Sequence, residues 1–214
     1  MARRIGLFGG SFDPFHLGHR RVLEAALTLG GLDRIHVVPA RISPHKADEP
    51  TATADERWLM AVLATLDEPR ARVERWEIER AGPSYSIDTA LRARREAGPE
   101  AEIVWIVGAD QLPKLHAWHR IAELLAICRM GVVPRSDMAG ERLAAAIAES
   151  LPAPLSERLF ALPMEPIDLS ATDLRLAAAR GADLAERLPR LTALYVERYN
   201  LYSCPLRDPP RTPS

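Results

Sequence analysis

The sequence contains 214 residues, with 28 basic and 29 acidic side chains and a net charge of −1 at pH 7. This length predicts one α/β domain with a sizeable core, and the interspersed charges exclude a general nucleic-acid-binding or membrane-binding surface. No apolar run approaches the ~18 residues that cross a bilayer, and the two cysteines provide neither a disulfide framework nor a metal-ligand spacing, so we expect a cytoplasmic protein.

The first predicted element is a short apolar strand that runs into a glycine-rich turn. The strand ends at Gly9 and Gly10, and a helix is predicted over residues 20–29. Glycines let a backbone approach a ligand closely, and free N–H groups at a helix N-terminus attract phosphate. His16 and His19 are three residues apart, so both can face one ligand near that helix end. The junction therefore predicts a phosphate-binding turn.

This turn matches neither of two better-known phosphate loops, because it contains no GxxxxGK[ST] and no GxGxxG. Its letters are GSFDPFHLGH, and they resemble the G-x-F-x-P-x-H-x-G-H signature of the HxGH nucleotidylyltransferase superfamily. In that superfamily the two histidines hold the triphosphate of ATP around the bond that breaks, which implies a catalytic role for His16 and His19. The resemblance also implies further ATP contacts from Gly9, Gly10, Ser11, Phe12 and Gly18.

Two other interpretations of the turn are weaker. A tight turn with two ordinary surface histidines would require ten matching positions at a strand–helix junction to be a coincidence. A zinc site could use His16, His19 and Asp13, but no Cys or further His lies nearby in sequence to complete a ligand set. We therefore predict no protein metal site here.

A second buried strand is predicted over residues 34–39, at an interval that suits a right-handed βαβ crossover. The loop that follows contains the letters SPHK and ends near residue 53. In isolation Lys46 would be an ordinary solvated lysine, but it follows a strand end beside the phosphate turn. The nicotinate mononucleotide branch of the superfamily carries a similar P-H-K here. This likeness implies that Lys46 is catalytic and contacts both the phosphates of ATP and the substrate.

The next predicted helix covers residues 54–66, and residues 72–79 have the charge expected of an edge strand. The apolar face of this helix is predicted to consist of Trp58, Leu59, Val62, Leu63 and Leu66.

A third helix is predicted from about residue 84 to residue 97, where Ser84 or Ser86 can cap its N-terminus. Its first letters, SYSIDT, resemble the S-Y-T-x-D-T signature of the nicotinate-nucleotide adenylyltransferases. Ser86 replaces the threonine of that signature and keeps the hydroxyl. The resemblance implies substrate contacts from Ser86, Ile87 and Thr89.

Residues 103–107 are apolar throughout, as in a central parallel strand. Ligands of open parallel sheets bind beyond the carboxyl ends of strands, so Asp110 should face the glycine turn and could hold ribose hydroxyls. The segment from Gly108 to Trp118 resembles the family's G-x-D…L…W pattern. The pattern implies ATP contacts from Gly108 and Asp110, and substrate contacts from Asp110 and Trp118, with Trp118 stacked on a flat ring. His119 stands where many members carry an aromatic residue, and we include it among the substrate contacts.

The last third of the chain is predicted to contain helices at 121–127, 139–150, 170–180 and 192–200 and a strand at 130–134. Residues 158–162 and 167–169 are expected to form one late strand or strand fragment. Ser170 and Asp173 make a start that resembles a capping box. The letters LSATDLR there resemble the superfamily's I-S-x-T-x-I-R motif, whose hydroxyls and arginine meet ATP phosphates. This implies ATP contacts from Ser170 and Thr172 and a catalytic role for Arg175.

Alternation of strands and helices predicts a doubly wound parallel sheet. The resemblance implies an open Rossmann-like sheet with a small helical C-terminal part. We expect one domain over residues 1–202 and a proline-rich tail over residues 203–214.

The function implied is adenylyl transfer from ATP to nicotinate mononucleotide, giving deamido-NAD and pyrophosphate, with Mg²⁺ bound to ATP. The alternatives are a pantetheine-phosphate adenylyltransferase, which shares the first and last motifs, and a non-catalytic nucleotide-sensing module. The sequence predicts neither nucleic acid nor a membrane as a partner, and it is compatible with a homo-oligomer.

Overall fold

The computed structural model describes residues 3–42 and 51–202. Six parallel strands form one sheet in the order β3-β2-β1-β4-β5-β6, which confirms the predicted doubly wound sheet. The strands are β1 (Arg4–Gly10), β2 (Arg34–Pro39), β3 (Ala71–Val73), β4 (Glu102–Gly108), β5 (Arg129–Val133) and β6 (Leu159–Ala161).

Seven α-helices are described. They are α1 (Leu17–Thr28), α2 (Ala54–Thr65), α3 (Ser86–Ala97), α4 (Ile121–Ile127), α5 (Gly140–Ser150), α6 (Ala171–Ala179) and α7 (Arg190–Arg198). A 3₁₀ stretch, Ala109–Ala117, leads out of β4. No helix within the described ranges is long and apolar enough to cross a membrane.

The two faces of the sheet carry separate cores, as β4 illustrates. Ile103 and Trp105 belong to the core that α3, α4 and α5 cover. Val104 and Ile106 point the other way, into the core covered by α1 and α2. Because side chains alternate along a strand, a strand buried on both faces is apolar throughout, and this explains the unbroken apolar run at residues 103–107.

A third cluster joins α2 to the C-terminal helices. Met60 of α2 lies there with Leu174 of α6 and Val196 of α7, and with the last described residues, Leu201 and Tyr202. This cluster is the predicted small helical C-terminal part, and within it α7 packs against α2.

The predicted buried face of α2 is wrong. Leu66 is exposed, whereas Arg57 is fully buried with Met60 and Ala61. The guanidinium of Arg57 donates hydrogen bonds to three backbone carbonyl oxygens, those of Ser11, Ala52 and Arg41. A charged side chain can be buried when polar acceptors satisfy it, and these acceptors come from segments that local patterning does not bring together.

The predicted caps of α3 are also wrong. Its N-cap is Tyr85, which makes no side-chain cap hydrogen bond. The hydroxyl of Ser84 instead accepts a hydrogen bond from the backbone N–H of Arg41. The edge strand predicted over residues 72–79 is shorter than expected, because β3 contains only three residues, although it does lie at the edge of the sheet.

Candidate active site

The candidate site is a cavity of about 270 Å³ at the carboxyl ends of β1 and β4. These neighbouring central strands are where the strand order reverses, the place at which open α/β sheets bind ligands. The predicted site residues that line the cavity are Gly9, Gly10, Ser11, Phe12, His16, Gly18, His19, Ser86, Gly108, Asp110 and Trp118. Residues from three separate stretches of sequence therefore meet in one crevice.

His16 and His19 cap helix α1 reciprocally. Nδ1 of His16 accepts a hydrogen bond from the backbone N–H of His19 at 3.3 Å, and Nδ1 of His19 accepts one from the backbone N–H of His16 at 3.2 Å. The imidazole rings stack with 3.7 Å between their centroids. This capping box moves the start of α1 to Leu17, three residues before the predicted start.

The caps also fix where the protons of both rings lie. An Nδ1 atom that accepts a hydrogen bond carries no proton, so a neutral imidazole must carry its proton on Nε2. The Nε2–H group of His16, and likewise that of His19, is consequently a donor. Backbone geometry thus fixes the tautomer of both predicted phosphate ligands.

Burial keeps His16 neutral. Its pKa falls from 6.5 to about 4, first because burial disfavours the charged imidazolium and second because the positive charge of Arg135 is nearby. Gly18 makes this burial possible, since a Cβ at that position would lie 2.9 Å from Nδ1 of His16. A neutral ring still donates through Nε2, so His16 can bind a phosphate oxygen even though it carries no charge.

Ser11 presents a buried hydroxyl to the same cavity. The residue is 6% exposed, and its Oγ has no hydrogen-bond partner among the described residues. An unsatisfied buried hydroxyl costs free energy, which a ligand oxygen at this position would recover. The turn therefore fits an oxygen-rich group such as a phosphate.

Arg175 reaches the turn from helix α6. Its Nη1 donates to the backbone carbonyl of Asp13 at 2.8 Å, and its Nη2 donates to Oγ1 of Thr172 at 3.3 Å. Ser170 caps α6 through the backbone N–H of Asp173, as predicted. Ser170 and Thr172 are both exposed, and Ala171, which lies between them in sequence, lines the cavity.

Arg135 is a cavity-lining residue that the sequence analysis missed. It follows β5 by two residues, and its guanidinium lies 3.5 Å from a carboxylate oxygen of Asp110. It also donates to the backbone carbonyl of Ile167. The available signal was its position beyond the carboxyl end of a parallel strand, where ligands of such sheets bind.

The structure places the predicted substrate contacts in different surroundings. Ser86 and Trp118 line the cavity, and the ring of Trp118 packs edge-on against Trp105. Ile87 is buried in the apolar core, and Thr89 donates its hydroxyl to Glu77. His119 stacks on Tyr85, with 4.3 Å between the ring centroids. Lys46 lies outside the described residues.

Glu77 is a second residue that the sequence analysis missed. It is buried, lines the cavity and accepts the hydroxyl hydrogen bond of Thr89. Burial raises the pKa of Glu77, while hydrogen bonds from Thr89 and Ser84 act in the opposite direction. Its charge suits the edge strand predicted there, so no local pattern indicates that Glu77 is buried.

No group of three or more His, Cys, Asp or Glu side chains that could hold a metal ion lies within the described ranges. A magnesium ion that arrives with ATP requires no such group, because phosphate oxygens and water supply most of its ligands.

The chain belongs to the cytidylyltransferase-like family, whose pattern it matches over residues 7–177. Within that family it is similar to a protein of Laribacter hongkongensis named "Probable nicotinate-nucleotide adenylyltransferase". The two are 37% identical over 207 residues, which cover 92% of this chain and 94% of the relative. A protein of Bordetella petrii with the same name is 38% identical over 201 residues, covering 94% of this chain and 99% of the relative.

A solved structure shares the fold. It is "Plasmodium falciparum nicotinic acid mononucleotide adenylyltransferase complexed with NaAD", with a TM-score of 0.69 and 18% identity, covering 94% of this chain and 97% of the other. At this level of identity the likeness establishes the architecture alone.

Proposed function

We propose that this chain transfers the adenylyl group of ATP to nicotinate mononucleotide, forming deamido-NAD and releasing pyrophosphate. The observation that carries the proposal is the pair of reciprocally capped histidines in the crevice, which offers two Nε2–H donors beside the unsatisfied hydroxyl of Ser11. The two relatives named for this activity support the choice of acceptor.

In this reaction a phosphate oxygen of nicotinate mononucleotide forms a bond to the α-phosphorus of ATP. The bond from that phosphorus to the bridging oxygen breaks, and its electron pair leaves with pyrophosphate. No covalent intermediate on the protein is needed, so positioning and electrostatic stabilisation supply the catalysis. Mg²⁺ held by the phosphate oxygens and water would neutralise part of their charge.

Each donor has a proposed place along the triphosphate. His16 and His19 contact the phosphates around the bond that breaks. Arg175 contacts the leaving pyrophosphate, and Lys46 contacts the phosphates near the junction with the acceptor. Arg135 adds a positive charge from the β5 side of the cavity. Donors that stand ready at the positions where charge develops require no rearrangement during the reaction.

The remaining turn residues form the rest of the proposed ATP site. Gly9, Gly10, Phe12 and Gly18 shape the turn, and Ser170 and Thr172 approach from the start of α6. At the other side of the cavity Gly108 lets the chain turn beneath the ribose, whose hydroxyls Asp110 holds.

The pyridine ring of the acceptor is proposed to bind at the start of α3. No side chain caps this helix at Tyr85, so the N–H groups of its first turn at Ser86 and Ile87 can serve a ligand. A carboxylate accepts two such hydrogen bonds and suits the positive end of the helix dipole. Trp118 stacks on the ring, and His119 closes the site through Tyr85. Thr89 contributes by holding Glu77 rather than through a free hydroxyl.

The acceptor is tested by measuring pyrophosphate release from ATP with nicotinate mononucleotide, nicotinamide mononucleotide and phosphopantetheine in turn. A carboxamide presents one acceptor and one opposed NH₂ donor, and a buried unpaired donor costs ~1–3 kcal/mol. We expect kcat/KM to favour nicotinate mononucleotide by about 10² or more, since ~1.4 kcal/mol is a factor of ten. A ratio within about threefold would remove the carboxylate site. Faster turnover of phosphopantetheine would indicate the alternative enzyme, and ATP binding without pyrophosphate release would indicate a sensing module.

We also propose that residues 1–202 act as one catalytic domain in the cytoplasm. The buried free thiol of Cys128 suits a reducing compartment.

A further inference from the structure

Asp13 connects the phosphate turn to three other parts of the protein through hydrogen bonds, although it has no role in the proposed reaction. Its carboxylate is 3% exposed. Oδ2 accepts a hydrogen bond from the backbone N–H of Thr51 at 2.8 Å, and Oδ1 accepts one from the backbone N–H of Ala52 at 3.1 Å. These contacts tie the turn to the segment that enters α2.

The same residue is tied to the C-terminal part of the chain. Oδ1 of Asp13 accepts the hydroxyl hydrogen bond of Tyr202 at 2.7 Å. Its backbone carbonyl accepts the hydrogen bond from Arg175, whose guanidinium also lies 3.8 Å from Oδ2. Tyr202 and Arg175 therefore both contact Asp13, which lies three positions before His16 in the sequence.

The backbone of Tyr202 indicates that this contact is strongly determined. The residue has a φ of 72°, in the left-handed region that non-glycine residues rarely occupy. Such a conformation persists only where the surroundings impose it. Here the ring is buried in the cluster with Met60 and Leu174, with the hydroxyl directed at Asp13.

The hydroxyl is a permanent donor. Burial raises the pKa of Tyr202, and the charge of Asp13 raises it further, so the phenol keeps its proton. Asp13 also attracts the buried guanidinium of Arg57, which donates to the backbone carbonyl of Ser11 in the same turn. The carboxylate is thus held by neutral and charged partners from several elements.

We propose that Tyr202 is a positioning residue, which orients Asp13 so that the phosphate turn and Arg175 face the same ATP phosphates. This inference rests on the proposed function only in that the turn binds ATP. It does not depend on which acceptor receives the adenylyl group. The consequence is that a residue at the C-terminal end of the described chain helps to determine the affinity of the phosphate turn for ATP.

The test compares Tyr202→Phe, which removes only the hydroxyl, with Tyr199→Phe. Tyr199 is a matched control because it lies three residues away and its side chain is 63% exposed. Affinity for ATP, for pyrophosphate and for nicotinate mononucleotide is measured separately by calorimetry, with circular dichroism to confirm that each variant is folded. A hydrogen bond to a charged group corresponds to about tenfold in affinity.

We expect Tyr202→Phe to bind ATP and pyrophosphate about tenfold more weakly and nicotinate mononucleotide within about twofold of the parent, with no change in Tyr199→Phe. Equal weakening of all three ligands would show a merely structural role and overturn the proposal. ATP and pyrophosphate affinities within about twofold of the parent would also overturn it. If the parent binds ATP but transfers nothing to nicotinate mononucleotide, the proposed function fails while this comparison keeps its meaning.

A second variant keeps the test decisive if Tyr202→Phe does not fold. Asp13→Asn keeps the shape of the side chain but removes its charge and one of its two acceptor oxygens, so its NH₂ group must face either the N–H of Thr51 or the contacts made by Ala52 and Tyr202. We expect the same selective loss of ATP and pyrophosphate affinity. A folded Asp13→Asn protein with both affinities unchanged would refute the proposal by itself. In a double-mutant cycle, the effects of Tyr202→Phe and Arg175→Gln should be non-additive, because both act through Asp13.

Discussion

Acidification should destabilise this protein through His16, and the sign follows from the two states of that side chain. The folded state holds the pKa at about 4, whereas the unfolded chain has the ordinary value of 6.5. Between these values the unfolded chain binds more protons, so unfolding becomes more favourable as pH falls. The contribution of His16 to stability is therefore complete above 6.5 and is lost progressively as pH falls towards 4.

The size of the loss follows from the same two values. One pKa unit corresponds to ~1.4 kcal/mol, so the complete loss amounts to about 3 kcal/mol. At about pH 5 the unfolded histidine is almost fully protonated and the folded one is still mostly neutral, which gives a loss of about 2 kcal/mol. A domain stabilised by ~5–15 kcal/mol would show this clearly.

The assay is urea unfolding at about pH 7.5 and about pH 5 for the parent protein and for His16→Asn. Asparagine is a good N-cap and can still accept the backbone hydrogen bond, but it does not titrate. Other titrating groups are common to both proteins and cancel in the comparison. We expect the parent to lose about 2 kcal/mol more than the variant. Equal losses in the two proteins would refute the assignment of a buried, neutral His16.

Three further predictions concern other residues of the cavity. His19→Ala should lower kcat by about 10² or more in the pyrophosphate-release assay, because it removes a preorganised donor, and a drop of less than about fivefold would contradict this. Glu77→Gln should stabilise the fold increasingly as pH rises above 4.5, because ionisation of the buried carboxyl is unfavourable, as its raised pKa indicates, and glutamine can still accept the hydrogen bond from Thr89. Thermal unfolding of the parent and the variant at about pH 4 and about pH 8 measures this, and a stability difference that does not change with pH would count against it. Arg135→Gln should raise the pKa of His16, followed by NMR titration of the ring protons; an unchanged pKa would remove the electrostatic contact.

The sheet could be predicted from sequence because its signals are local. In β4 a strand buried on both faces must be apolar throughout, and the pattern shows this directly. The turn between β1 and α1 could be predicted for a similar reason, since its glycines and histidines lie within one short stretch. Ser170 also behaved as its local sequence indicated, because a cap hydrogen bond spans only three residues.

The failures concern contacts between distant segments. The buried face of α2 was mispredicted because Arg57 is satisfied by carbonyls from three stretches of chain. Glu77 looked like a solvated charge because its partner Thr89 lies in the next helix. The contact between Asp13 and Tyr202 joins residues near opposite ends of the chain, and no periodicity or motif connects them. Polar burial depends on tertiary partners, which patterning does not reveal.

The reciprocal capping of α1 shows that the requirements of helix formation differ from those of catalysis. Serine or asparagine at the N-cap position 16 and glutamine at position 19, the third helical residue, can make the same two cap hydrogen bonds, so helix capping by itself does not require histidine at either position. Replacing His16 with serine and His19 with glutamine should leave a folded scaffold with an open nucleotide crevice and no imidazole donors. The same architecture could then serve as a nucleotide receptor, and the step between enzyme and receptor would be two side chains that the backbone already accommodates.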